Sequence, residues 1–276
     1  MKAVRFAGPD GVAHLGSLDG ELVRDAGPAG AAGFVPSPEG WARLAAASGP
    51  EYPLATLTLL HPVVAPKILA MAVNYRDHAA ESDLAVPDVP VMFAKFPSAL
   101  IGSGAPVVIP REETRPDWEG EVAIVIGRRT YRADRRSARE AIGGISAIND
   151  VTGRRAQLET PLRQFTLGKS FDTFAPMGPA IVSPDEVDLD DIELRTTVSG
   201  ELMQRANTRD LIFPFVDLIV YLSAGTTLEP GDVIATGTPS GVGDSRTPPR
   251  YLREGDVMEV SVSGVGTLRN PVTIER

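Results

Sequence analysis

Apolar and polar positions alternate most informatively along Asp117-Trp118-Glu119-Gly120-Glu121-Val122-Ala123-Ile124-Val125-Ile126. Side chains alternate across an extended strand, so Glu119 and Glu121 point to one side. Trp118, Val122, Ile124 and Ile126 then form the opposite, apolar side. Ala123 and Val125 follow the glutamates' side, which therefore becomes buried further along. Two carboxylates beside such a surface repel each other and lose hydration. A hard divalent cation is the simplest compensation. The plainer alternative is a wet strand end carrying two solvated glutamates.

The same pattern predicts strands at Ile68–Val73, Val91–Ala94, Val107–Ile109, Glu119–Ile126, Gly144–Asn149, Ala180–Val182, Glu193–Val198, Val233–Thr236, Met258–Val262 and Gly266–Leu268. Phe215, Leu218, Ile219 and Leu222 recur at helical spacing and predict a helix over Phe213–Ala224. A short helix is expected from Tyr75 to Ser82, and a loop from Asp83 to Pro90. Short alternating segments at Lys2–Phe6, Val12–Leu15 and Glu21–Val23, then a helix from Glu39 to Ala47, suggest a small β-rich unit over residues 1–60. His61–Pro66 reads as a hinge to a main domain, 61–276. Strands outnumber helices and no regular βαβ alternation appears. The expected class is therefore α+β, predominantly β, rather than a Rossmann or TIM fold.

Composition narrows the function. The 276 residues are 43% hydrophobic, enough for a sizeable core. A net charge of -9 argues against nucleic acid as the main partner. The run Arg128, Arg129, Arg132, Arg135, Arg136, Arg139 is read as a solvated loop and helix face, with a helix start at Ser137-Ala138-Arg139-Glu140. With no cysteine, disulfides, thiolate metal sites and cysteine nucleophiles are excluded. No secretory signal and no transmembrane run is visible, so the expected compartment is the cytoplasm.

Several residues could carry chemistry. His78 and Glu81 sit three apart on the expected short helix, where imidazole and carboxylate can pair and take a proton from water. A fortuitous exposed pair is the plainer reading. His14 and His61 read as structural or surface residues. Asp150 ends the apolar run Ile145–Asn149, and with Glu119 and Glu121 makes an all-oxygen ligand set suited to Mg²⁺, Mn²⁺ or Ca²⁺. Lys169 and Lys95 could each neutralise that cluster, hold an oxyanion, or lie at the surface. Thr236-Gly237-Thr238-Pro239-Ser240-Gly241-Val242-Gly243 could let backbone N–H groups approach an anion, although it is not a Walker loop.

Six segments occur in one register: Asn74-Tyr75-x-x-His78-x-x-Glu81, Phe93-x-Lys95-x-Pro97-Ser98-Ala99, Asp117-Trp118-Glu119-x-Glu121, Asn149-Asp150-Val151-Thr152, Gly168–Phe174 and Thr236–Gly243. Together they resemble the fumarylacetoacetate hydrolase family. The resemblance implies a mixed β-roll catalytic domain around Mg²⁺ or Mn²⁺, with Glu119, Glu121 and Asp150 as ligands. It implies His78 and Glu81 as a water-activating pair on a lid segment, Lys169 as the site lysine, and Tyr75, Lys95, Gln204 and Thr238 as substrate contacts. It also implies a homodimer acting on a small keto acid. The sequence departs from the family at Gly153–Gln157, where Arg155 stands at a commonly acidic position, and over Leu158–Phe165.

The reaction expected first is hydrolysis of a carbon–carbon bond in an acylpyruvate-like β-diketo acid, of fumarylpyruvate or acetylpyruvate type. The alternatives use the same enolate chemistry: decarboxylation of a β-keto acid such as oxaloacetate, or isomerisation of an unsaturated 2-hydroxy or 2-keto diacid. Outside enzymes, a non-catalytic binder of 2-keto acids is the rival.

Overall fold

Gly120–Ile126 is buried at every position and forms a central strand of the large sheet. The computed structural model describes residues 1–276. The period-two pattern in this strand separates two cores. Val122, Ile124 and Ile126 pack on one face with Phe215, Leu218, Ile219 and Leu222 of the helix Phe215–Ser223. Ala123 and Val125 pack on the other with Ala70, Phe93, Ile148 and Met177. A strand covered on both faces reads as a continuous apolar run, as this one does.

The large sheet has twelve strands. Its centre is Gly120–Ile126, antiparallel to Ile142–Asn149 on one side and to Val233–Ala235 on the other. Val233–Ala235 runs parallel to Ile68–Met71, which pairs with Met92–Lys95 at the edge. Beyond Ile142–Asn149 lies Ala175–Val182, and onto it pairs Lys2–Ala7, with Lys2 opposite Val182. Leu15, Phe34 and Leu44 from the first sixty residues enter the same core cluster as Ala123 and Val125. A five-stranded sheet, ordered Glu201–Asn207, Glu193–Val198, Val257–Val262, Gly266–Ile274, Val107–Ile109, packs against the first. The protein is thus α+β and mostly β. No helix is long and apolar enough to cross a membrane.

Three local expectations are corrected. The central strand begins at Gly120, so Glu119 lies just before it rather than within it. Gly120 is required there, because a Cβ would lie 2.0 Å from Thr196 Oγ1 of the second sheet. The helix after the arginine run starts at Arg135, not near Ser137. Asp134 caps it, its side chain accepting from Ser137 N–H, while Ser137 Oγ accepts from Asp134 N–H. Glu201–Asn207, unforeseen in sequence, is an edge strand beside Glu193–Val198. Its polar residues reflect that position rather than a loop.

Candidate metal and acid–base site

The end of the central hairpin assembles the carboxylates. Asn149 Oδ1 accepts from Glu119 N–H at 3.0 Å, and Asp150 N–H donates to Glu119 C=O at 2.8 Å. These bonds fix Glu119 beside Asp150 as the chain leaves the sheet. Glu121, two residues on, enters from the strand itself. One carboxylate oxygen from each of Glu119, Glu121 and Asp150 lies within 4.8 Å of the others, and all three residues are buried. The wet strand end is therefore ruled out.

Cations surround this cluster. Lys95 Nζ donates to Asp150 Oδ1 at 2.6 Å, and Lys169 Nζ donates to Asp150 Oδ2 at 2.7 Å and to Glu119 Oε2 at 2.8 Å. Arg154 meets Glu119 Oε1 at 2.6 Å and Asp117 Oδ2 at 2.9 Å. Four buried carboxylates, counting Asp117, face three buried cations, Lys95, Arg154 and Lys169. One negative charge is left over.

Glu121 carries that imbalance. Its Oε2 accepts from Gly237 N–H at 2.8 Å, while its buried Oε1 has no partner. Burial, then the charges of Asp150 and Glu119, push the Glu121 carboxyl well above the usual range. Glu119 behaves oppositely. Burial would raise it, but Lys169 and Arg154 outweigh burial and bring it to about 2. The orphaned oxygen, the surplus charge and the all-oxygen donor set fit a hard divalent cation.

The lysines are fully engaged. Lys169 Nζ spends three donors on Glu119, Asp150 and Thr152 Oγ1. The negative charges of Asp150 and Glu119 overcome burial and raise it. Lys95, 1% exposed, donates to Asp150, to Val151 C=O and to Lys169 C=O. Burial lowers it, with Asp150 opposing.

The helix Arg76–Glu81 brings the acid–base pair to the site. His78 Nδ1 lies 3.4 Å from Glu81 Oε2, and Glu81 Oε1 accepts from Gly241 N–H at 2.8 Å. Asp77 Oδ2 accepts from Ser240 Oγ at 2.7 Å. Two side chains thus fasten this helix to the Thr236–Gly243 segment. A cavity of about 240 Å³ adjoins the cluster, lined by His78, Glu119, Arg154, Lys169 and the apolar Leu84, Leu158, Phe165 and Val242, among others.

The remaining sequence candidates surround the cluster rather than line the cavity. Tyr75 is in the apolar core, with a buried hydroxyl that has no partner. Burial, then the charge of Glu121, raises its pKa. Gln204 accepts from Gly120 N–H at 3.0 Å and donates to Thr238 Oγ1 at 2.8 Å, and Thr238 donates to Gly120 C=O at 3.0 Å. Those bonds clamp the turn between the two glutamates. Tyr75, Lys95, Gln204 and Thr238 do not line the cavity. Arg155 also stays outside it, pairing with Glu159 at 3.3 Å.

Asp117 and Arg154 were missed as site residues. The signal was charge balance: three carboxylates brought together need more cations than two lysines, and Arg154 stands four residues after Asp150.

A family model described as fumarylacetoacetate hydrolase C-terminal matches residues 67–273. A mitochondrial oxaloacetate tautomerase of Bos taurus is 40% identical over 225 residues, covering 81% of this chain and 72% of that protein. A mitochondrial oxaloacetate tautomerase of Homo sapiens is 39% identical over 232 residues, covering 83% of this chain and 74% of that protein. Among solved structures, a 5-carboxymethyl-2-hydroxymuconate delta-isomerase from Mycobacterium smegmatis superposes with a TM-score of 0.83 at 36% identity, covering both chains completely. A fumarylacetoacetate hydrolase from Exiguobacterium antarcticum gives 0.86 at 38% identity, again over all of both chains.

Proposed function

This chain belongs to the fumarylacetoacetate hydrolase family, and from that premise we propose that it interconverts the keto and enol forms of a short 2-oxo acid of the oxaloacetate class. One observation carries the reading. His78, Lys169 and Glu119, one member of the buried carboxylate cluster, line one small cavity. At about 240 Å³ it lies below the roughly 300–1,000 Å³ typical of drug-sized ligands. The relatives named as tautomerases and isomerases support the choice of reaction.

Glu119, Glu121 and Asp150 would hold Mg²⁺ or Mn²⁺. Such a cation would supply Lewis-acid stabilisation of negative charge on the substrate's 2-oxo oxygen. The other steps belong to the chain. His78 removes a proton from C3 and returns it to the 2-oxo oxygen, so the atoms balance with no co-reactant. Glu81 holds the Nδ1 side of the imidazole, leaving the other nitrogen to exchange the proton. Lys169 and Arg154 keep Glu119 ionised. Leu84, Phe165 and Val242 contribute apolar lining.

The test is the ultraviolet decay of enol oxaloacetate with Mg²⁺, with Mn²⁺ and with excess chelator. Catalysed decay that chelator abolishes supports the reading. Decay at the uncatalysed rate under every condition removes it.

A second reading is hydrolysis of an acylpyruvate. The His78–Glu81 pair favours it, since Glu81 is partly exposed and the pair can draw a proton from water. Pyruvate release from a panel of acylpyruvates, with carbon dioxide release from oxaloacetate monitored in parallel, separates hydrolysis, decarboxylation and tautomerisation.

A further inference from the structure

We infer that Arg163 recognises a second, distal carboxylate on the substrate and so selects 2-oxo dicarboxylates over 2-oxo monocarboxylates; this rests on the 2-oxo acid reading above. Apart from His78, five charged residues line the cavity: Glu119, Arg154, Arg163, Lys169 and Asp244. Four are already neutralised. Glu119 pairs with Lys169 and Arg154, and Asp244 pairs with Arg115 at 2.6 Å and accepts from Tyr251 Oη at 2.7 Å. Arg163 enters no ion pair and no hydrogen bond. It is the one uncompensated charge facing the cavity, and it is positive.

Its position suits the far end of a short diacid. Arg163 lies on the stretch joining the helices Arg154–Leu158 and Phe165–Gly168. Its neighbour Gln164 is tied back by an N–H bond to Gln157 C=O at 2.9 Å, so the stretch is anchored at the cavity rim. Lys169 and Glu119 are buried at the other end, whereas Arg163 is exposed. Leu84, Leu158 and Phe165 contribute apolar lining to the same cavity. A ligand with one carboxylate among the buried groups and a second at exposed Arg163 matches this combination of polar, apolar and cationic lining. A guanidinium presents two parallel N–H donors to a carboxylate, which a lysine cannot reproduce.

The experiment compares wild type, Arg163→Gln and Arg163→Lys on oxaloacetate and on 2-oxobutyrate, which has a methyl group in place of the distal carboxylate. C3 proton exchange is read with Mg²⁺ present. Arg163→Gln is expected to raise KM for oxaloacetate about tenfold, with kcat little changed and 2-oxobutyrate unaffected. Arg163→Lys should recover part of the loss. Calorimetric binding of malate and of 2-hydroxybutyrate, neither of which needs turnover, forms the second arm. Wild type should prefer malate and Arg163→Gln should lose that preference. If neither 2-oxo acid exchanges, the functional reading fails, and the binding arm still decides the role of Arg163. Equal weakening of both ligands, or no change in either, overturns the inference.

Discussion

Glu81 accepts the backbone N–H of Gly241 at 2.8 Å through one oxygen while the other lies 3.4 Å from His78 Nδ1. One carboxylate therefore fastens the helix Arg76–Glu81 to the Thr236–Gly243 segment and holds the Nδ1 side of the His78 imidazole. On the proposed function, that single side chain would couple the helix position to proton transfer.

Glu81→Gln tests this coupling. The amide oxygen can still accept from Gly241, but the neutral side chain no longer stabilises an imidazolium. Turnover is expected to fall about 10²–10⁴-fold, the range for losing effective acid–base assistance. Metal affinity should stay within a few-fold of wild type, because Glu81 is not in the ligand cluster. Unchanged turnover would remove Glu81 from the proton-transfer scheme.

Glu121 should lose a proton when metal binds. Burial and the charges of Asp150 and Glu119 push its carboxyl well above the usual range in the metal-free protein, yet a ligand must be an anion. Metal affinity should accordingly rise with pH until the Glu121 carboxyl ionises unaided. Calorimetry in two buffers of different ionisation enthalpy should register proton release as the cation binds. Glu121→Gln should abolish the release and weaken binding. Binding with no proton release would contradict a neutral Glu121.

Lys95→Met removes a buried cation from Asp150. An ion pair broken on one side typically costs about 3–5 kcal/mol, and two backbone carbonyls also lose a donor. Thermal unfolding should show that loss in chelator, and saturating Mg²⁺ should restore part of it by replacing positive charge near Asp150. A melting temperature indifferent to Mg²⁺ in both proteins would argue that the cluster holds no cation.

How much of this was legible in the sequence depends on which physical interaction fixes each residue. The alternation in Val122–Ile126 anticipated two separate cores because burial is set by side-chain parity, a local property. The helix Phe215–Ser223 was visible for the same reason. The central strand's start was misjudged by one residue, since Gly120 is dictated by Thr196 from another sheet. Glu119, Glu121 and Asp150 could be nominated from carboxylate spacing. That Arg154, Lys95 and Lys169 all converge on them depends on tertiary placement, which spacing does not encode. Tyr75 neighbours the site in sequence yet turns into the core, because its ring is better buried with Leu211 than exposed in the cavity.

His14 supplies a pH dependence far from the site. Its Nδ1 lies 2.8 Å from Asp25 Oδ2 and its Nε2 lies 3.1 Å from Asp10 Oδ2, beside the ring of Phe6. Burial would lower the imidazole, but the two carboxylates outweigh it and raise it. A raised histidine stabilises the fold fully below its unfolded value, about 6.5. That contribution fades as pH rises through the folded value. Chemical denaturation of wild type should therefore lose stability above about pH 6.5 relative to His14→Gln. Parallel pH profiles for the two proteins would show that His14 does not titrate in this way.

The central claim is that His78 moves a C3 proton of a 2-oxo acid beside a cation held by Glu119, Glu121 and Asp150. Its most direct test is proton NMR of C3–H exchange into D₂O for oxaloacetate. Wild type with Mg²⁺, wild type with excess chelator, and His78→Asn with Mg²⁺ are compared. The account predicts rapid exchange in the first sample and exchange near the uncatalysed rate in the other two. Exchange that persists in chelator, or that survives loss of the imidazole, would contradict it.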